Sequence, residues 1–443
     1  MRPVCARRVI GSFAASVVAC TVVLLAAQTP PPLDARASDP VTMGWMTGDP
    51  VPPERVIRFA DSSFFRFPQT RWSFSHLRQL MPTSVVRRGR GPVSVLPRAE
   101  RSDIDGVTFT PIGGAAPMTW ADSLLANYTD GILVLHRGRI VQERYFGILR
   151  PERQHIAFSV TKSFVAMLAR TLIAEGKIGE HDVVSKYLPE MASSGLGDAT
   201  IRQLLDMTTG PDYTEVYGDP NSSVRHMSIA VGFFPRPSDY RGPNTIFEYL
   251  GTITKAYPHG EQFKYKTINT DMLQAVVRRV TGQPLSALME ERIFGPLGAE
   301  EDGFFTVDPS GVEFAGGGFN LTLRDMARFG EMMRLGGRFN GRQVVPEAVV
   351  ADVRRGANRD HFVGAGYATL PGWSYRNMWW VSHNAHGAYM ARGIHGQAIY
   401  IDPAAEMVIA RFASHHIAGN VGIDPTSLPA YEALASHLMA AGR

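Results

Sequence analysis

Ser159-Val160-Thr161-Lys162 pairs a hydroxyl with an amine at the start of a segment of helical periodicity. Residues three apart on a helix share a face, so the lysine amine can stand beside the serine oxygen. A serine hydroxyl is too weakly acidic to attack a carbonyl unaided and needs a neighbouring base. A lysine serves as that base when burial or another cation lowers its pKa enough to populate the neutral amine. The positive end of the helix would also favour an alkoxide or oxyanion there. An isolated pair of this kind also fits a helix-capping serine with a solvated lysine, so the rest of the chain has to decide.

Two further stretches carry compatible chemistry. In His259-Gly260-Glu261-Gln262-Phe263-Lys264-Tyr265-Lys266-Thr267-Ile268-Asn269, a turn and a short extended piece lead through Tyr265 to a helix start. That phenol could receive the serine proton and return it to a leaving group. Lys264 or Lys266 would favour its phenolate form if either pointed inward; a half-buried structural tyrosine is the alternative. In Arg392-Gly393-Ile394-His395-Gly396-Gln397, glycine beside a strand permits close approach of a ligand to the backbone, as an oxyanion-binding strand requires. His395 there would either touch substrate or cap the strand.

These three elements, in this order, resemble the serine β-lactamase/penicillin-binding superfamily in its class C and esterase branch. Within it the chain is most similar to the 6-aminohexanoate-dimer (nylon-oligomer) hydrolases. Met43-Gly44-Trp45-Met46, Arg71-Trp72-Ser73-Phe74-Ser75-His76, Thr129-Asp130-Gly131 and Ser159–Phe164 carry the likeness. The resemblance implies Ser159 as nucleophile, Lys162 as its base and Tyr265 as proton shuttle. It implies an oxyanion hole from the backbone N–H of Ser159 and of Gln397 in the 394–397 strand. It also implies substrate contacts from Tyr217 on a mobile loop, with Tyr213 a nearby competitor, from Asn320 on the cleft wall and from His395. Two departures stand out. The family's Tyr-x-Asn motif has Thr267 at its third position here, the nearest asparagine being Asn269. The family's Lys-Thr-Gly is replaced by Ile394-His395-Gly396, which removes a cation that holds a β-lactam or peptide carboxylate, unless Arg392 substitutes.

The elements that must position these residues follow from periodicity. A β-hairpin is expected over Ile132–Tyr145 with its turn at Arg137-Gly138, and a second over Ala398–Ala410. Helices are expected over Ser159–Glu175, Asn269–Thr281, Leu285–Phe294, Thr322–Leu335 and Ala430–Ala441. Strands near both ends with helices between predict an α/β (α+β) fold of β-lactamase type: an antiparallel sheet flanked by helices, with an inserted helical lobe at about 165–300. Residues 38–118, rich in Pro, Gly, Arg and aromatics, read as an irregular arm packed on the hydrolase domain at 119–443. The cluster Phe64, Phe65, Phe67, Trp72 and Phe74 reads as packing rather than as a binding platform.

Residues 1–37 read as an export signal: Arg2, Arg7 and Arg8, an apolar run from Val9 to Ala27, then Ala35-Arg36-Ala37. The run is long enough for an uncleaved membrane anchor at 9–27 to be the rival. Both cysteines, Cys5 and Cys20, belong to this leader, so the remaining chain must find its nucleophile among oxygens and nitrogens. The 443 residues carry 45 Lys+Arg against 41 Asp+Glu, a net +4 too dilute for a nucleic-acid binder. No metal is expected, His383 and His386 reading as surface histidines, and no cofactor. The sequence therefore points to a periplasmic or secreted serine hydrolase acting on a small ester or amide. The alternatives are a β-lactamase or D-alanyl-D-alanine carboxypeptidase, and a non-catalytic binding protein of the same fold.

Overall fold

The computed structural model describes residues 32–440. The basic start and apolar run of the expected leader lie outside the described residues. Among those described, no helix is long and apolar enough to cross a membrane.

The first hairpin joins β1 (Thr129–His136) to β2 (Arg139–Tyr145) through Arg137 and Gly138, both left-handed at φ 52° and 73°. Two such residues give the turn whose twist matches that of the flanking strands. Five further strands, β3 (Ser374–Arg376), β4 (Trp379–Val381), β5 (Tyr389–Arg392), β6 (Ala398–Asp402) and β7 (Met407–Ala413), complete a seven-stranded antiparallel sheet of order β3-β4-β5-β6-β7-β1-β2. Ile409 of β7 lies opposite Val134 of β1, so the first hairpin pairs with the last strand in one sheet.

Both faces of that sheet are covered, which is why its strands read as near-continuous apolar runs. Helices α1 (Trp120–Ala126), α2 (Val160–Ala174), α4 (Leu323–Arg334) and α5 (Asp424–Ala440) supply most of the cover, while α3 (Ile268–Thr281) packs on α2. Gly330 of α4 lies against Ile399 and Val408, while on the opposite face Tyr400 meets Tyr431 of α5 with ring centroids 5.1 Å apart. α2 is buried along most of its length and joins α4 through the stacked rings of Phe164 and Phe329, 3.6 Å apart.

α5 begins at Asp424 rather than at Ala430, with Pro429 inside it. Proline has no N–H for the carbonyl four residues back; here that carbonyl, of Pro425, accepts from the Ile112 N–H at 3.0 Å. Residues 38–118 are thus bonded to the C-terminal helix. The helix expected over Leu285–Phe294 is α-helical to Met289 and then widens into a π turn over Glu290–Phe294.

A four-stranded antiparallel sheet, Thr83–Val86, Gly303–Thr306, Phe319–Leu321 and His155–Ile156 in that order, lies before α2. Its last strand runs directly into the turn that holds Ser159. The Ala157 N–H donates to the Phe319 carbonyl at 2.8 Å, fixing where that turn starts.

Candidate active site

Phe158, immediately before Ser159, has a φ of 43°, a left-handed conformation that a bulky residue adopts only where its surroundings enforce it. The kink lets the Val160 and Thr161 N–H groups donate back to Ala157 and Phe158 and starts α2 at once. Ser159 sits at this helix start, its hydroxyl not used as a cap.

Lys162 is 1% exposed, and its Nζ lies 2.9 Å from Ser159 Oγ. The same nitrogen donates to the Gly316 carbonyl, a group that can only accept. Burial pulls the Lys162 pKa down to about 8, against the opposing pull of Glu215 and Asp271. Asp271, on α3, is itself pushed up to about 7 by burial and accepts the Gly316 N–H at 3.0 Å. Gly316 therefore links the two buried groups, its N–H bonded to Asp271 and its carbonyl to Lys162. A Cβ at Gly316 would lie 2.4 Å from Thr267 Cγ2, so only glycine fits between them.

Tyr265 lies over the lysine, its ring centroid 5.1 Å from Lys162 Nζ, and stacks on Trp380 at 5.6 Å. Burial and Glu215 raise the phenol's pKa well above its ordinary value, with the neighbouring Ser159 hydroxyl working against them. The flanking lysines do not point at it. Lys266 donates to the Pro211 carbonyl at 2.5 Å, and both Lys264 and Lys266 stand over Tyr257. The resting group is a neutral phenol, suited to donating a proton.

Ser159 lines two cavities. The first, about 150 Å³, is walled by Phe65, Phe158, Phe233, Phe234 and Phe314 with Arg225 among them. The aromatic arm thus packs on the body and also gives Phe65 to the site. The second, about 250 Å³, contains Tyr265, Trp380, Tyr367, Arg392 and Glu215. Tyr217 borders both and donates from its hydroxyl to Glu215 at 2.6 Å. Tyr213 points away, buried with its hydroxyl near Met227.

Ile394 also lines both cavities. A Cβ at Gly393 would sit 2.6 Å from the Ala157 carbonyl, so glycine is what lets the end of β5 abut the nucleophile turn. Neither the Ser159 nor the Ile394 backbone N–H has a hydrogen-bond partner among the described residues. Two such donors beside one nucleophile can hold an oxyanion.

A family model described as Beta-lactamase matches residues 121–418. The chain belongs to the beta-lactamase family. It is 33% identical over 348 residues to the 6-aminohexanoate-dimer hydrolase of Paenarthrobacter ureafaciens, covering 78% of this chain and 86% of that protein. It is 30% identical over 189 residues to Esterase EstB of Burkholderia gladioli, covering 40% of this chain and 47% of that one. The solved structure described as "Putative 6-aminohexanoate-dimer hydrolase from Bacillus anthracis" superposes with a TM-score of 0.80 at 29% identity, over 88% of this chain and 99% of that one. The chain is a hydrolase of the serine β-lactamase-like superfamily.

Within this beta-lactamase-family frame, three expected site residues lie elsewhere. Gln397 lines neither cavity. Its buried amide bonds to the Ile394 and Ala413 carbonyls and the Ala413 N–H, bracing the turn that presents Ile394. His395 is buried against Phe65, Phe74 and Phe158 with Nδ1 on the His415 carbonyl, and burial lowers its pKa to about 4; it backs the cavity wall instead of facing substrate. Asn320 lies inside the four-stranded sheet with its amide on the Gly318 carbonyl, and Gly316 and Gly317 form the cavity wall instead. At the altered second motif, Thr267 donates from its N–H and hydroxyl to Glu215 at 2.6 and 2.5 Å, while Asn269 is buried on Thr209 and Lys266. Glu215, bonded to both Tyr217 and Thr267 at the second cavity, is a functional candidate absent from the sequence-based set; its one signal there is its place two residues before Tyr217.

Proposed function

We propose that the chain is an exported serine hydrolase that cleaves the ester or amide carbonyl of a small open-chain compound through an acyl-enzyme on Ser159. The observation that carries this reading is the 2.9 Å approach of a buried Lys162 amine to the Ser159 hydroxyl. One lysine N–H is committed to the Gly316 carbonyl, which leaves the lone pair of the neutral amine free to take the Ser159 proton as Oγ attacks. The Ser159 and Ile394 N–H groups receive the negative oxygen. Tyr265 then delivers a proton to the departing nitrogen or oxygen, and water releases the acyl group by the same steps in reverse. The similarity to the 6-aminohexanoate-dimer hydrolase of Paenarthrobacter ureafaciens supports linear amides as one substrate class. Arg2, Arg7, Arg8 and the apolar run after them support export.

Action on β-lactams or D-alanyl-D-alanine peptides is the second reading. Arg392 borders the second cavity, and its Nη1 has no partner among the described residues. Its Nη2 is bonded to Asp424, however, which offsets the charge that a substrate carboxylate would seek. The test is a panel of short p-nitrophenyl esters, linear amides including the aminohexanoate dimer, and nitrocefin, each run with wild type and Ser159→Ala. Serine-dependent hydrolysis of the esters or amides supports the first reading. Rapid nitrocefin turnover with inert esters and amides favours the second.

A further inference from the structure

The first cavity has a composition that selects a substrate. Five phenylalanines wall it, and its volume of about 150 Å³ suits a single ring, since an apolar cavity of roughly this size takes up benzene. One charged side chain breaks the apolar lining. The Arg225 guanidinium lies 3.7 Å from the centroid of the Phe234 ring and is half-buried. Among the described residues it has no carboxylate within ion-pair distance and donates no hydrogen bond from its side chain. Burial alone lowers its pKa, with no anion acting against it. Phe234 holds the flat face of the guanidinium, which leaves its edge N–H groups for a planar acceptor.

Tyr265 decides which part of the substrate enters here. It lines the second cavity and not the first, so the group it protonates leaves through the second, beside Trp380 and Glu215. The acyl portion therefore occupies the first cavity. We propose that Arg225 makes this an acyl pocket for a ring-sized apolar group ending in a carboxylate, so that the preferred substrates are monoesters or monoamides of dicarboxylic acids. This rests on the acyl-enzyme reading given above. The pocket contains no carboxylate to receive an ammonium group, so an acyl chain with a terminal amine would be disfavoured.

Three p-nitrophenyl esters of 4-phenylbutyrate test this: the parent, its ring para-carboxylate and its ring para-aminomethyl derivative. A charge-assisted contact of this type corresponds to about 10- to 100-fold in kcat/KM. Wild type should favour the carboxylate ester over the aminomethyl ester by at least that factor. Arg225→Met should abolish the preference, and Arg225→Glu should reverse it. The ratio of two substrates within one variant does not depend on how much of that variant folds. Equal ratios in wild type and Arg225→Glu would overturn the pocket assignment, leaving Arg225 as a brace for Phe234. Ser159→Ala, run on the same three esters, isolates the underlying reading: hydrolysis that survives it refutes the nucleophile itself, whatever Arg225 does.

Discussion

Lys162 Nζ stands between Ser159 Oγ, at 2.9 Å, and the Gly316 carbonyl, which binds one of its hydrogens. That arrangement makes activity depend on the lysine being neutral. With its pKa lowered to about 8, kcat/KM should rise with pH and level off above that value. Glu215 stabilises the ammonium form, so Glu215→Gln should move this acid limb to lower pH. A pH profile of ester hydrolysis for both proteins checks the shift; movement to higher pH would contradict it.

Tyr265 is held as a neutral phenol. Its role as proton donor matters most when the leaving group is poor. Tyr265→Phe should cost an amide about 10²- to 10⁴-fold in kcat, with a much smaller loss on a p-nitrophenyl ester, whose nitrophenolate departs without a proton. Parallel kcat measurements on the two substrates show the difference.

Gly393 and Ala157 set the distance between the end of β5 and the nucleophile turn. In Gly393→Ala the new Cβ would fall 2.6 Å from the Ala157 carbonyl and push Ile394 away. Losing one oxyanion donor costs about 10²- to 10³-fold in kcat. The strain should lower stability by about 1–3 kcal/mol, read by thermal or denaturant unfolding.

Tyr217 donates to Glu215 at the border of both cavities and is 40% exposed. Tyr217→Phe should reduce amide hydrolysis about tenfold, the value of one hydrogen bond, and leave the ester rate nearly unchanged. Equal effects on both substrates would remove Tyr217 from leaving-group recognition.

The fold was legible where burial imposes a period. The Arg137-Gly138 turn, the runs of β1, β6 and β7, and the helices ending before Gly176 and Gly282 all follow local rules. That Ser159 and Lys162 lie together was legible because they share one turn of helix; Tyr265, three residues before α3, is brought to them by the packing of α3 on α2. What stayed hidden depends on distant segments meeting. Spacing alone cannot show which peptide of a glycine-rich turn faces the serine: Gly393 passes close to the Ala157 carbonyl, and Ile394 rather than the expected Gln397 lines both cavities with Ser159. Phe65 and Phe233 lie 168 positions apart in the sequence, yet their rings lie 5.7 Å apart in one pocket wall. Glu215 reaches Thr267 only because a loop folds back over α3's first turn.

Hydrolysis by this route passes through a covalent intermediate on Ser159. The most direct test is intact and peptide mass spectrometry after brief reaction with a fluorophosphonate probe and, separately, with a slowly hydrolysed ester at low pH. One adduct per chain, mapped to the peptide containing Ser159 and absent from Ser159→Ala, is the predicted result. A folded wild-type protein that remains unlabelled, or is labelled equally after Ser159→Ala, would contradict it.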